Sequence, residues 1–396
     1  MEKLKRGNLR ADELKKQKKN KKKKMSIVII LVIVIIFATI IGIFIFYKKQ
    51  KPFSSYDIVH TAELTNTAGS TYLPYKSGVI KVTRDGVEAM NADGKVLWNV
   101  SYNMKDPLSA VRGNYAAVAD RGGKTLIIVN GHGEKNEITT EYSIEQIEVA
   151  MQGVTAVLTS NVGENYIDLY SFDGQERLAT MNTNTDKHGF PVDIALSQDG
   201  KKLITSYIAI DGDAVKNWVT FYSFSDYAKN LAEYTAGSVS FENIIPEIKF
   251  LTNDLVCIYK DNGFILYTMK ELPEVVAIED IKGEIESTFL NSSMLGFIVR
   301  EKESGQKKLV LYNYSGKKEL EQNIQVDYEK VTMTDKVLVF YSQLSSEFYS
   351  LKGKHLFSKI FEKNINYIFA ADVTNQLLFI SDTDMERVQL KGTKEE

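Results

Sequence analysis

The side chains best suited to metal or nucleophilic chemistry are four histidines, one cysteine and two short carboxylate pairs. His60, His132, His188 and His355 stand far apart, and no His-x-x-x-His spacing offers a preformed metal site. His132 lies between Gly131 and Gly133, the setting of a solvated imidazole in a turn. Cys257 sits inside the apolar run Leu255-Val256-Cys257-Ile258-Tyr259, which reads as a buried, inert thiol; a single cysteine also excludes an intramolecular disulfide. Asp211-Gly212-Asp213 and Asp382-Thr383-Asp384 place carboxylates two residues apart, a spacing that can chelate Ca²⁺. Neither continues into the full cation-binding loop with its distal glutamate, so both read as hairpin turns.

No Gly-x-Ser-x-Gly elbow, phosphate-binding loop or dinucleotide fingerprint is present. The sequence therefore nominates no catalytic residue, no metal ligand, no cofactor and no cofactor-binding residue. The twenty-one tyrosines and nineteen phenylalanines fall mostly at strand positions, where packing between sheets accounts for them.

The elements that must carry these residues are short β-type runs, punctuated from Tyr56 onward by Asp-Gly, Asn-Gly and Ser-Gly turns. The best helical stretch, Asp226 to Tyr234, is too short for a parallel crossover, so the fold class is all-β. One unit recurs: an apolar strand, often ending in aromatic residues, then a turn, then a more polar strand. Examples are Asp168-Leu169-Tyr170-Ser171-Phe172-Asp173-Gly174 and Val310-Leu311-Tyr312-Asn313-Tyr314-Ser315-Gly316. Aligned on the residue four before the turn glycine or its equivalent, the anchors are Met90, Val129, Tyr170, Tyr222, Tyr267, Tyr312 and Tyr349, spaced by 39, 41, 52, 45, 45 and 37 residues. With a last unit from Ile365 to Lys391, these predict a β-propeller of eight four-stranded blades, with seven as the alternative. The last unit lacks a clear fourth strand, and Tyr56 to Leu64, ahead of the first complete unit, is the strand expected to close the ring.

Asn91-Ala92-Asp93-Gly94-Lys95-Val96-Leu97-Trp98 resembles the strand, turn and docking tryptophan of quinoprotein-type propeller repeats. Ser197-Gln198-Asp199-Gly200-Lys201 is similar to a turn of bacterial WD40-like and lactonase-like propellers. Both resemblances imply architecture; the vicinal disulfide common in quinone-cofactor enzymes of the first kind would need a second cysteine, which is missing. The layout as a whole resembles membrane-anchored propeller families of bacteria whose role is uncharacterised.

That layout rests on the N-terminus. Residues 1–24 carry twelve Lys or Arg against three acids, whereas residues 52–396 carry 34 basic and 48 acidic residues. Ser26, Ile27 and the residues through Tyr47 form an uncharged run of 22, seventeen of them Ile, Val, Leu or Phe. As a helix the run would span about 33 Å, enough for the ~30 Å hydrocarbon core of a bilayer. It outlasts the apolar region of a cleavable signal and ends without a small-x-small site, which reads as a retained signal anchor. Lys21, Lys22, Lys23 and Lys24 set its topology, because positive flanks stay cytoplasmic. The expected organisation is a basic cytoplasmic tail (1–25), a transmembrane helix (26–47), a linker (48–55) and an extracytoplasmic propeller (56–396). The acidic propeller excludes non-specific nucleic-acid binding. The expected role is a non-catalytic platform in the cell envelope, held to the lipid bilayer and binding another envelope protein or a cell-wall polymer. The alternative is an enzyme or ligand sensor with its site at the mouth of a central channel.

Overall fold

The computed structural model describes residues 52–65, 69–174, 176–184, 189–211, 214–225, 234–371 and 373–392, with Ile35, Phe37 and Thr39. The basic tail, including Lys21 to Lys24, and Ser26, Ile27 and Tyr47 of the expected span lie outside the described residues, as do His188 and residues 226–233 of the helical stretch. Ile35, Phe37 and Thr39 are helical. Among the described residues no helix is long and apolar enough to cross a membrane.

Thirty-two described strands form eight four-stranded antiparallel sheets, so the repeat count of eight holds and seven does not. Blades 1 to 7 span residues 71–101, 107–139, 143–184, 190–241, 247–280, 284–324 and 330–360, each in simple up-and-down order. Blade 8 takes three strands from residues 365–392, and its fourth and outermost strand is the N-terminal Phe53–Glu63, which pairs with Asp384–Gly392. That strand starts three residues earlier than Tyr56, inside the stretch read as linker. First strands of neighbouring blades approach one another, including blade 8 with blade 1, and are therefore the innermost.

A blade is covered on both faces by its neighbours, which explains the continuous apolar runs of the second and third strands. Gly78–Val82, Val337–Tyr341 and Gln376–Ser381 are buried almost throughout, while the outer strands Val96–Ser101 and Lys318–Ile324 alternate. The core is a series of inter-blade layers. Phe264 of blade 5 stacks on Phe297 of blade 6 at 5.3 Å and meets Tyr312 edge-on at 4.9 Å.

Every anchor residue falls at the end of a third strand. At Met90, Tyr170, Tyr222, Tyr267, Tyr312 and Tyr349 the register slips, so a β-bulge precedes the turn. In blades 1 and 6 the following turn is built by side-chain capping: the Asn91 Oδ1 accepts from the amides of Asp93 and Lys95, and Asn313 does the same for Ser315 and Lys317. The turns of blades 2, 3, 6 and 7 lean on the outer strand of the preceding blade. A Cβ on Gly133 (φ +82°) would lie 2.6 Å from the Trp98 Cβ, so the docking tryptophan of blade 1 packs beneath the turn of blade 2. Gly174 meets Ile138, Gly316 meets Ala277 and Gly353 meets Gln322 in the same way. Between blades 4 and 5 the parts are exchanged, with Pro273 in the turn and Gly237 on the strand.

The ring closes with the same contact. Gly94 of blade 1 sits against Ala62 of the N-terminal strand. The Leu64 amide donates to the Thr383 carbonyl at 2.8 Å, Lys391 pairs with Asp57 at 3.0 Å, and Arg387 pairs with Asp93 at 2.7 Å.

Candidate functional site

The structure disperses the residues nominated by the sequence. His60 is exposed on the N-terminal strand, and His132 is exposed in the blade 2 turn with its own amide donating to Asn130 Oδ1. His355 of blade 7 lies 2.6 Å from Glu347 and packs edge-on against Tyr349. Cys257 is fully buried in blade 5, and burial pushes its thiol far above the usual range. Asp382 and Asp384 are not free to chelate: Asp382 accepts from Asn366, and Asp384 joins Glu386 on Lys363. Asp211 pairs through its backbone with Ala214, and Gly212 and Asp213 lie outside the described residues. Among the described residues no three His, Cys, Asp or Glu side chains are grouped to hold a metal ion.

What the topology does assemble is a polar belt on the innermost strands of blades 2 to 5. Gln146 of blade 3 donates to Asp193 of blade 4 at 2.6 Å and accepts from the Ile194 amide at 3.2 Å. The second Asp193 oxygen accepts from the Ile248 amide of blade 5 at 2.7 Å. One carboxylate thereby ties three blades together. Burial raises its pKa, against the lowering effect of these hydrogen bonds. Beside it Glu148 lies 3.9 Å from Arg112, with about 30% of its side chain still accessible. Enclosure by the ring pushes this carboxyl up to about 7; Arg112 and Lys249 oppose the shift and Asp193 adds to it. Lys249 is held by Glu247 at 2.6 Å. The sequence signal for this belt is faint: charged residues inside otherwise apolar first strands, which have meaning only once the strands converge.

Two surfaces differ from it. At one end of blade 4, Phe190, Ile210 and Val215 are exposed, Phe190 standing opposite Ile208 on a hairpin longer than in any other blade. On the rim, the outer strand of blade 5, Glu274–Asp280, exposes Val275, Val276 and Ile278. Next to it a groove of about 480 Å³ opens toward blade 6, floored by Val299, Val310 and Tyr312 and edged by Asp280. In its charged wall Lys308 bonds Glu301 at 2.5 Å and holds that carboxyl below its usual range, and Lys318 bonds Glu321 at 2.7 Å; Lys282, Lys302 and Glu303 line it as well.

Comparison with solved structures gives the same architecture. BamB from Moraxella catarrhalis superposes with a TM-score of 0.53 at 14% identity, covering 87% of this chain and all of the other. A eukaryotic initiation factor gives 0.56 at 11% identity, covering 88% and 96%. At these identities the likeness shows the propeller fold alone. No curated protein matches the sequence. One family profile does match, over residues 48–390, and the chain accordingly belongs to DUF5711, a family of unknown function.

Proposed function

We propose that this protein is a membrane-anchored, extracytoplasmic propeller that serves as a non-catalytic platform for another protein of the cell envelope. The observation that carries the reading is the contrast between its two kinds of surface. At the centre of the inner belt Asp193 spends its hydrogen bonds on Gln146 and Ile248, whereas apolar side chains are left exposed on blades 4 and 5. Anchoring and orientation rest on the apolar run 26–47 and on Lys21 to Lys24.

In-cell crosslinking with affinity capture, comparing the full chain with one ending at residue 55, tests the platform. Recovery of one envelope protein only with the propeller supports it; equal recovery with both chains refutes it. A reporter active only outside the cytoplasm, fused after Glu396, tests the orientation, and a silent fusion would overturn it.

A second reading, a ligand sensor in the channel, draws on the loosely paired Glu148 with its near-neutral pKa. A small-molecule screen by thermal shift that returned hits lost in Glu148→Gln would favour it over the platform.

A further inference from the structure

We infer that the outer strand of blade 5 accepts an extended, basic segment of a partner protein by strand addition, the segment's side chains on one face reaching over the groove toward blade 6. This rests on the platform reading and names its surface. Glu274–Asp280 is the last strand of its sheet and pairs only inward, with Gly263–Thr268, so its outer edge carries backbone groups free to hydrogen-bond an added strand. No other outer strand among the described residues exposes three large apolar side chains as Val275, Val276 and Ile278 do here. Exposed edges are commonly protected by lysine, proline, other charges or a bulge; this strand contains no lysine or proline, and its protection is limited to three acidic side chains and the bulge at Val276.

From Ala277 to Asp280, beyond the bulge at Val276, alternation sets where an added strand would put its side chains. Ala277 faces blade 6, since its methyl is the atom a Cβ on Gly316 would strike. Residues of the added strand on that side lie over the groove floored by Val310 and Tyr312, and Asp280 belongs to both strand and groove. Those on the other side meet the face of Ile278.

Charge decides the partner's chemistry. Within the strand Glu274 and Glu279 have no cation within ion-pair distance among the described residues, while Asp280 is already paired with Lys260; the lysines Lys282 and Lys302 stand beyond the strand, in the groove wall. Strand-to-strand pairs favour opposite charges and penalise like ones. A second copy of this chain, edge to edge, would set this acidic strand against itself. A segment alternating β-branched residues with lysine or arginine satisfies both the apolar and the acidic positions.

The test is fluorescence anisotropy of the full-length chain with a labelled valine–lysine alternating peptide, beside a valine–glutamate peptide of equal length. Binding of the lysine peptide should weaken about tenfold or more in Val276→Lys/Ile278→Lys, and hold in Val96→Lys/Leu97→Lys on blade 1. Hydrogen exchange should show new protection at amides of residues 274–280. Both altered sites are exposed, so the variants should keep their fold. No binding, equal binding of the glutamate peptide, indifference to the blade 5 substitutions, or self-association through this edge would each overturn the inference. The platform reading would survive any of these results, because it is tested separately by the crosslinking comparison.

Discussion

Gly94 of the first blade touches Ala62 of the strand that completes the last: a Cβ on the glycine would lie 2.2 Å from the alanine methyl. Gly94 is also left-handed, at φ +74°, so Gly94→Ala combines backbone strain with a clash at the ring's seam. Gly122 has the same φ and open space around it, and Gly122→Ala therefore measures the strain alone. Chemical denaturation should show a loss of about 1 kcal/mol for Gly122→Ala and about 2–4 kcal/mol for Gly94→Ala. Equal losses would mean that the seam yields at no cost.

Glu148 predicts a pH dependence. Folding raises its pKa from 4.5 to about 7, so below 4.5 both states hold the proton and between the two values only the folded state does. The group therefore removes stability as pH rises through that window, by at most about 1.4 kcal/mol per pH unit, and the loss is complete above 7. Glu148→Gln should match the wild type at pH 4 and exceed it at pH 8 by roughly 1–3 kcal/mol. Urea titrations at the two pH values decide it, and a constant difference would assign the effect elsewhere.

Asp193 holds blades 3, 4 and 5 through one carboxylate. Asp193→Ala strands the Gln146 amide and the Ile248 N–H and should cost about 2–4 kcal/mol. Asp193→Asn keeps an acceptor and should cost less. Denaturation midpoints of the two variants give the comparison, and an alanine variant as stable as the wild type would show that the belt is not structural.

Cys257 should react with an aromatic disulfide reagent only as fast as the protein opens, because its thiol is buried and held protonated. Fast labelling of the native chain would contradict the packing of blade 5.

The sequence made the repeat legible because its signals are local. Asn91 and Asn313 cap their own turns within four residues, and the bulge after Leu169 or Leu311 is a matter of neighbouring backbone. The closing strand could be foreseen for a different reason: a ring with three strands in one blade and a spare strand at the other end has one economical solution. The belt was not legible, since Gln146 and Asp193 lie 47 residues apart and meet only through the angle between two blades. The same holds for the groove beside Tyr312, which is a gap between sheets, and for the fourth unit's 52-residue spacing, whose surplus proved to include the long strands Lys202–Asp211 and Ala214–Ser223.

The seam also sets a clock on assembly. Leu64 finds Thr383 only after more than three hundred intervening residues have been made, whereas blades 1 to 7 pair strands that are adjacent in the chain. A growing chain can therefore complete seven sheets in order of synthesis while the strand it made first waits unpaired. Among the described pairings this one carries the largest loop-closure entropy, so the seam is expected to close after the blades whose strands are neighbours in the chain.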